Sequence, residues 1–322
     1  MTRIVALEEH YATPDLLAAT GMDLSWLPMA PEQRLLDVAE DRLADMDAAG
    51  IDVQVLSAVG PGVQELPDEV AVPLARDLNT RLHKDIAARP DRFAAFATLP
   101  TGNPDAAAAE LEHAVTELGF VGALINGTTH GLFLDHPDHT AVLETAARLG
   151  VPIYLHPGTP PAPVLGAYYG GLPPLVGRML ATAGYGWHYE TSLHALRLIT
   201  AGVFDRHPDL KIILGHLGEG LPFHAQRVDE MLNPLTANLS KPVAAYLQQN
   251  FWITTSGYYY DGPFQLARRI FGDDRILFSV DYPFSDNTVS TRWLSGLALD
   301  PAIREKIAHA NADRLLGLPS RG

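Results

Sequence analysis

Apolar residues come along this chain in short runs, and the segments between them carry helical spacing; the two patterns alternate from end to end. Runs rich in Val, Ile and Leu predict strands near residues 4–10, 51–58, 93–99, 120–126, 151–156, 211–216, 251–256 and 276–281. Their near-continuous hydrophobicity is expected when both faces of a parallel sheet are covered. Helices are predicted near 33–49, 67–88, 104–118, 138–149, 187–205, 220–247 and 263–271. In 34–49 the period is plain: Leu35, Leu36, Ala39, Leu43 and Met46 recur at helical spacing, and Gly50 is a stop.

Eight strands alternating with helices in 322 residues predict an α/β fold, a (β/α)8 TIM barrel that forms one domain over residues 1–322. An open doubly wound sheet gathers its ligands at one switch point. Here the first, fifth, sixth and eighth predicted strands all end in candidate groups, which favours the barrel. Insertions follow the first strand (11–32, with Met22, Leu24, Trp26 and Leu27) and the fifth (157–186, rich in Pro, Gly and Tyr). Loops after strands build the active face of such barrels, so both are expected to wall the pocket, and they are candidates for an oligomer contact.

The strand ends carry the chemistry. Alternate residues of a strand share a face, so in Ala6-Leu7-Glu8-Glu9-His10 the Glu8 and His10 side chains point together and Glu9 points away. The fifth strand ends in His156, the sixth in His216 and the eighth in Asp281. Singly each is weak, since a lone His at a strand end is usually a satisfied polar residue. Jointly, Glu8, His10, His156, His216 and Asp281 would meet at one mouth, as ligands of a metal must. Of the thirteen histidines, His188 and His194 lie on the helix after the fifth strand, and His188 could reach the pocket.

Composition narrows this further. With no cysteine, thiolate ligands, disulfides and a Cys nucleophile are excluded, and His, Asp and Glu suit Zn²⁺ or Mn²⁺. A net charge of −15 without a basic stripe argues against a nucleic-acid partner. No apolar run approaches the ~20 residues of a membrane helix and no signal-type segment opens the chain, so a soluble, cytoplasmic protein is expected.

The motifs Ala6-Leu7-Glu8-Glu9-His10, Ile153-Tyr154-Leu155-His156-Pro157, Leu214-Gly215-His216-Leu217-Gly218-Glu219 and Ser279-Val280-Asp281-Tyr282-Pro283-Phe284 resemble the amidohydrolase-related superfamily. Within it they look like the non-oxidative aromatic decarboxylases typified by γ-resorcylate, 2,3-dihydroxybenzoate and 5-carboxyvanillate decarboxylase. In the resembled superfamily most hydrolases carry His-x-His on strand 1, and binuclear members a carbamylated Lys at the end of strand 4. Here those positions hold Glu8 and Asn126. The resemblance therefore implies one divalent ion, Zn²⁺ or Mn²⁺, held by Glu8, His10, His156 and Asp281, with ligation by His216 left open. It also implies a small aromatic carboxylic acid as substrate and a homodimer or homotetramer.

The implied reaction is decarboxylation of an ortho-hydroxybenzoate, with Asp281 protonating the ring carbon and His216 and Glu219 relaying the proton. By the resemblance, Asn126, Trp187, Arg227 and Phe284 fall at positions near the bound aromatic acid or next to the groups that hold it. For Arg227 an ion pair with Glu219 or another carboxylate is the alternative. A smaller aromatic is common at the Trp187 position in the resorcylate enzymes, and Tyr258-Tyr259-Tyr260 could present a hydroxyl to the ligand. The rival expectations are a metal-dependent amidohydrolase, lactonase or hydratase using the same ligands, and a non-catalytic binding barrel.

Overall fold

The computed structural model describes residues 2–27 and 32–319. Its strands are β1 (Val5–Tyr11), β2 (Val53–Ala58), β3 (Phe93–Ala95), β4 (Ala97–Thr98), β5 (Ala123–Asn126), β6 (Pro152–His156), β7 (Lys211–Leu214), β8 (Phe251–Thr254) and β9 (Ile276–Leu277). All paired strands are parallel, each beside its neighbour in sequence, in the orders β1-β2-β3 and β4-β5-β6-β7-β8-β9. This is the α/β arrangement that helical crossovers between successive strands produce.

All eight predicted strands are present, and the third is divided. The Phe96 amide makes the last rung to β2, donating to the Leu56 carbonyl at 2.9 Å, and the next amide, Ala97, donates to the Gly122 carbonyl before β5 at 2.8 Å. The hydrogen-bond ladders therefore form a three-stranded and a six-stranded sheet instead of one continuous set. A parallel bridge between Glu9 and Tyr282 joins β1 to the segment after β9, where the His10 amide donates to the Tyr282 carbonyl at 2.7 Å.

The strands have a core on each face. Val5, Leu7, Val55, Tyr154, Ile213 and Leu277 pack into one cluster, drawn from both sheets. Their alternates, such as Ala6, Leu56, Ile153, Leu155, Ile212 and Ile253, pack against the helices. Two covered faces explain why the strands read as continuous apolar runs.

Three predicted helices are interrupted. The segment 33–49 forms Glu32–Leu36 and Glu40–Ala49, because the Asp37 carboxylate draws off the amides of Ala39 (2.9 Å) and Arg42 (3.0 Å). Residues 187–205 form Gly186–Thr200 and Val203–Arg206, broken at Gly202 with φ +70°. Pro234 and Pro242 lie in the gap between Leu221–Leu232 and Val243–Gln249, where their missing amides cannot continue a helix. The insertion after β6 is itself partly helical (Pro174–Ala181), and three helices beyond the predicted set close the chain: Asn287–Gly296, Pro301–Glu305 and Asn311–Leu316. In the insertion after β1, residues 28–31 lie outside the described residues. Among the described residues, no helix is long and apolar enough to cross a membrane.

Candidate metal centre and active site

The carboxyl ends of the strands bring the five predicted groups together. Glu8 is fully buried on β1, where the register with β2 shifts between Ala6 and Glu9. Its Oε2 accepts from the hydroxyls of Tyr154 and Ser256 and, at 3.3 Å, of Thr254. Gly215 lies against this oxygen: a Cβ there would come within 2.9 Å of it. With Oε2 fixed, Oε1 faces His156 Nε2 at 3.3 Å and His216 Nε2 at 3.6 Å and has no hydrogen-bond partner. Burial alone would raise the Glu8 carboxyl, but His216, His156 and His10 outweigh it and hold Glu8 well below the usual carboxylate range.

The histidines are oriented from behind. His156 Nδ1 is 2.8 Å from the Pro157 carbonyl, and donation there leaves the Nε2 lone pair facing Glu8. Burial depresses the His10 imidazole and so favours its neutral form. Its Nε2 lies 3.3 Å from Asp281 Oδ1, and Arg42, itself fully buried, donates to the His10 carbonyl at 2.6 Å. Asp281 adopts φ +72°, a conformation few non-glycine residues take, and its Oδ2 is 3.9 Å from His216 Nε2.

One ligand atom each from Glu8, His10 and His156 falls within a 4.8 Å cluster, as does one each from Glu8, His216 and Asp281. The orphaned Glu8 Oε1 and His10 Nε2, both buried, are the observation that tests whether the residues suit a metal. Two desolvated electron-pair donors aimed at a common point, one of them anionic, are costly without a cation and are what a divalent ion needs. The donor set fits. His188, His216 and Glu219 form a third such group, but there the donors satisfy one another: Glu219 bonds His216 Nδ1 at 2.9 Å and His188 Nδ1 at 2.5 Å. Burial opposes the charged form of His216, yet Glu219 and Glu8 raise it well above the ordinary imidazole value. Glu219 is held low by His216 and His188 against its own burial.

A cavity of about 850 Å³ opens from these groups. Phe284 stands edge-on to His10 (5.8 Å between centroids), Trp187 edge-on to His156 (6.4 Å) and Tyr258 edge-on to His216 (5.8 Å). Arg227, Asn126 and the tyrosine tract take different positions around the cavity. Arg227 does not line this cavity in the chain; its side chain is 68% exposed and pairs with Glu230 at 3.4 Å on the same helix, not with Glu219. Asn126 is buried behind Gly60, beside the cavity wall, and bonded to Gln64. Of the tyrosine tract, only Tyr258 lines the cavity; Tyr259 donates to the Val280 carbonyl at 2.5 Å and Tyr260 is exposed.

The model of the family described as amidohydrolase matches residues 22–318. The chain belongs to this family. It is 41% identical to the γ-resorcylate decarboxylase of Rhizobium radiobacter, over 98% of this chain and 99% of that one. A dihydroxybenzoic acid decarboxylase from Polaromonas sp. JS666, solved with manganese and the inhibitor 2-nitroresorcinol, superposes with a TM-score of 0.90. Its identity is 37%, and the match covers 100% of this chain and 98% of that one. A 5-carboxyvanillate decarboxylase from Novosphingobium aromaticivorans, solved with manganese and a nitrobenzoic acid ligand, also gives 0.90, at 30% identity over 98% and 96%. The aromatic decarboxylase branch of the amidohydrolases is thus where this chain's resemblances lie.

Several residues of this amidohydrolase were missed in the sequence. Glu9, turned away from the pocket, accepts from the Val280 amide (2.9 Å) and the Tyr282 amide (3.2 Å) and so holds the backbone on both sides of Asp281. Burial pushes its carboxyl up to about 8. Tyr154 and Thr254, with Ser256 just past β8, could have been found by the alternation that found Glu8, since Tyr154 shares a strand face with His156. Arg42 had no such signal, being a lone basic residue on a mostly polar helix.

Proposed function

We propose that this amidohydrolase is a metal-dependent, non-oxidative decarboxylase of ortho-hydroxybenzoate-type aromatic acids. The observation that carries the reading is Asp281. Its carboxylate lies beside the unpartnered Glu8 and His10 donors, at the floor of an aromatic-walled cavity, with a buried His216–Glu219–His188 chain behind it.

Glu8, His10, His156 and Asp281 would hold one Mn²⁺ or Zn²⁺, which would bind the phenolic and carboxylate oxygens of the substrate and neutralise their charge. The cavity's apolar edges at Phe284 and Trp187 orient the ring. A proton that Asp281 takes up as the substrate enters goes to the ring carbon that bears the carboxylate. The bond from that carbon to the carboxylate then breaks, its electron pair restores the aromatic ring, and CO₂ leaves. His216, held cationic by Glu219 and Glu8, then returns a proton from Nε2 to Asp281 Oδ2, 3.9 Å away. Glu219, between His216 and His188, steadies that charge.

The relatives support the reading through the acids and inhibitor their structures hold. Among the described residues no lysine lines the cavity, which is consistent with a single ion. One domain, a cytoplasmic setting and a homo-oligomer belong to the same proposal.

The test is CO₂ release from a panel of ortho-hydroxybenzoates by metal-stripped protein reloaded with Mn²⁺ or Zn²⁺, beside a panel of lactones and amides. Turnover of a hydroxybenzoate that vanishes on stripping and returns on reloading is expected. Turnover of a lactone with no hydroxybenzoate active would end the decarboxylase reading. High bicarbonate with a phenol should drive slow carboxylation, since every step is reversible.

A further inference from the structure

We propose that the substrate carries an apolar chain on the ring edge opposite its hydroxyl and carboxylate, and that the space between the two insertions receives it. This rests on the decarboxylase reading and names the substrate class within it.

A one-ring acid engages only the floor of the cavity, where His10, His156, Asp281, Phe284 and Trp187 lie. The whole cavity, about 850 Å³, is near the upper end of the roughly 300–1,000 Å³ that encloses drug-sized ligands. The surplus lies above the floor. It is walled by Met22, Leu24 and Leu27 of the first insertion and by Leu165, Leu172 and Met179 of the second. The one acidic and one basic side chain of this outer wall are Asp23 and Arg178. Both are exposed, and Asp23 accepts from the Ser25 amide at 2.9 Å. The Arg178 guanidinium lies 4.1 Å over the Trp26 ring, linking the two insertions across the mouth.

Arg178, Thr159, Tyr169 and Thr182 are polar members of the lining, and the aliphatic side chains between them offer an alkyl chain a surface from which it would displace water. A ring whose chelating edge is at the floor must turn its far edge toward this space. Carbons 4 and 5 of a 2-hydroxybenzoate form that edge.

The experiment uses two series of 2-hydroxybenzoates, with linear alkyl chains of increasing length at carbon 4 or carbon 5, on the Mn²⁺-loaded enzyme. In at least one series kcat/KM should climb by up to about fourfold per methylene, the ratio equivalent to ~0.8 kcal/mol of transfer free energy, and then level off. The matching alkylphenols, titrated by quenching of tryptophan fluorescence, should bind more tightly in the same order without any need for turnover. Leu24→Trp and Leu165→Trp, each checked for folding by circular dichroism, should cut the long-chain to parent kcat/KM ratio at least tenfold.

A parent acid that turns over while both series are flat or declining would make the space a solvent passage and overturn this inference alone. Phenol binding that ignores chain length would do the same. No CO₂ from any hydroxybenzoate, with phenol binding still rising along a series, would instead overturn the decarboxylase reading and leave the apolar subsite standing.

Discussion

Glu8 and Glu9 stand side by side on β1, and the strand turns them to opposite faces with opposite tasks. Glu8 offers one oxygen to the pocket because its other is held by three hydroxyls. Glu9 offers none and fastens the backbone around Asp281. Asp281→Asn should lower kcat by about 10²–10⁴, the usual contribution of a positioned acid, while metal content by elemental analysis stays near stoichiometric through Glu8, His10 and His156. Activity retained in that variant would remove Asp281 as the proton donor. Above pH 8, where Glu9 is ionised and both its oxygens accept, the amide group of Glu9→Gln must instead face one of the two N–H donors, so the Asp281 backbone should loosen. We expect kcat to fall about 10–100-fold with folding and metal content kept, and a kcat equal to wild type would show that the two hydrogen bonds do not hold Asp281 in place. Strand alternation paired Glu8 with His10, and the ends of apolar runs marked His156, His216 and Asp281, so the five convergent groups could be found from sequence. It could not find Glu9's part, since its partners are amides more than 270 residues away in the chain.

At the level of elements, the strands were easier to foresee than the helices. A strand buried on both faces has only one way to read, whereas a helix boundary depends on local competitors for its amides. Asp37 is such a competitor, and its effect on Ala39 and Arg42 overrides a clean apolar period. The helix Gly186–Thr200 shows another tie that spacing does not reveal: His194, fully buried, accepts from the Leu134 amide at 2.7 Å through Nε2. Burial lowers this imidazole to about 3 from an ordinary value of 6.5. Between those values the unfolded chain takes up a proton that the folded one refuses. The stability is therefore complete above about 6.5 and is lost as pH falls toward 3. His194→Gln can keep the bond to Leu134 without a titrating group. Its Tm should fall less steeply than that of wild type between pH 6.5 and 4 by scanning calorimetry, and parallel curves would rule His194 out as a source of acid lability.

Over the whole molecule, the apolar surface is unevenly placed. The helix Pro174–Ala181 turns Gly177, Arg178 and Ala181 to the cavity, and leaves Leu175, Val176 and Leu180 at 62%, 54% and 39% exposure. Tyr189 and Leu193 on the following helix, together with Phe223, are exposed as well. So much large apolar surface on and around two successive helices is more than scattered exposure, and surfaces of this kind mark protein contacts. The net charge of −15 opposes association at long range, so any self-contact should depend on apolar burial and strengthen with salt. A second copy of this chain is the partner in our proposal, as expected from the family resemblance. Analytical ultracentrifugation of wild type at micromolar concentration should give a dimer or tetramer. Val176→Glu would place a carboxylate in the middle of the contact without touching the cavity wall, and should shift the population toward monomer. If the contact also braces the insertion after β6, that monomer will lose activity together with its partner. Wild type that sediments as a monomer, or Val176→Glu that sediments as wild type does, would move the contact off this face.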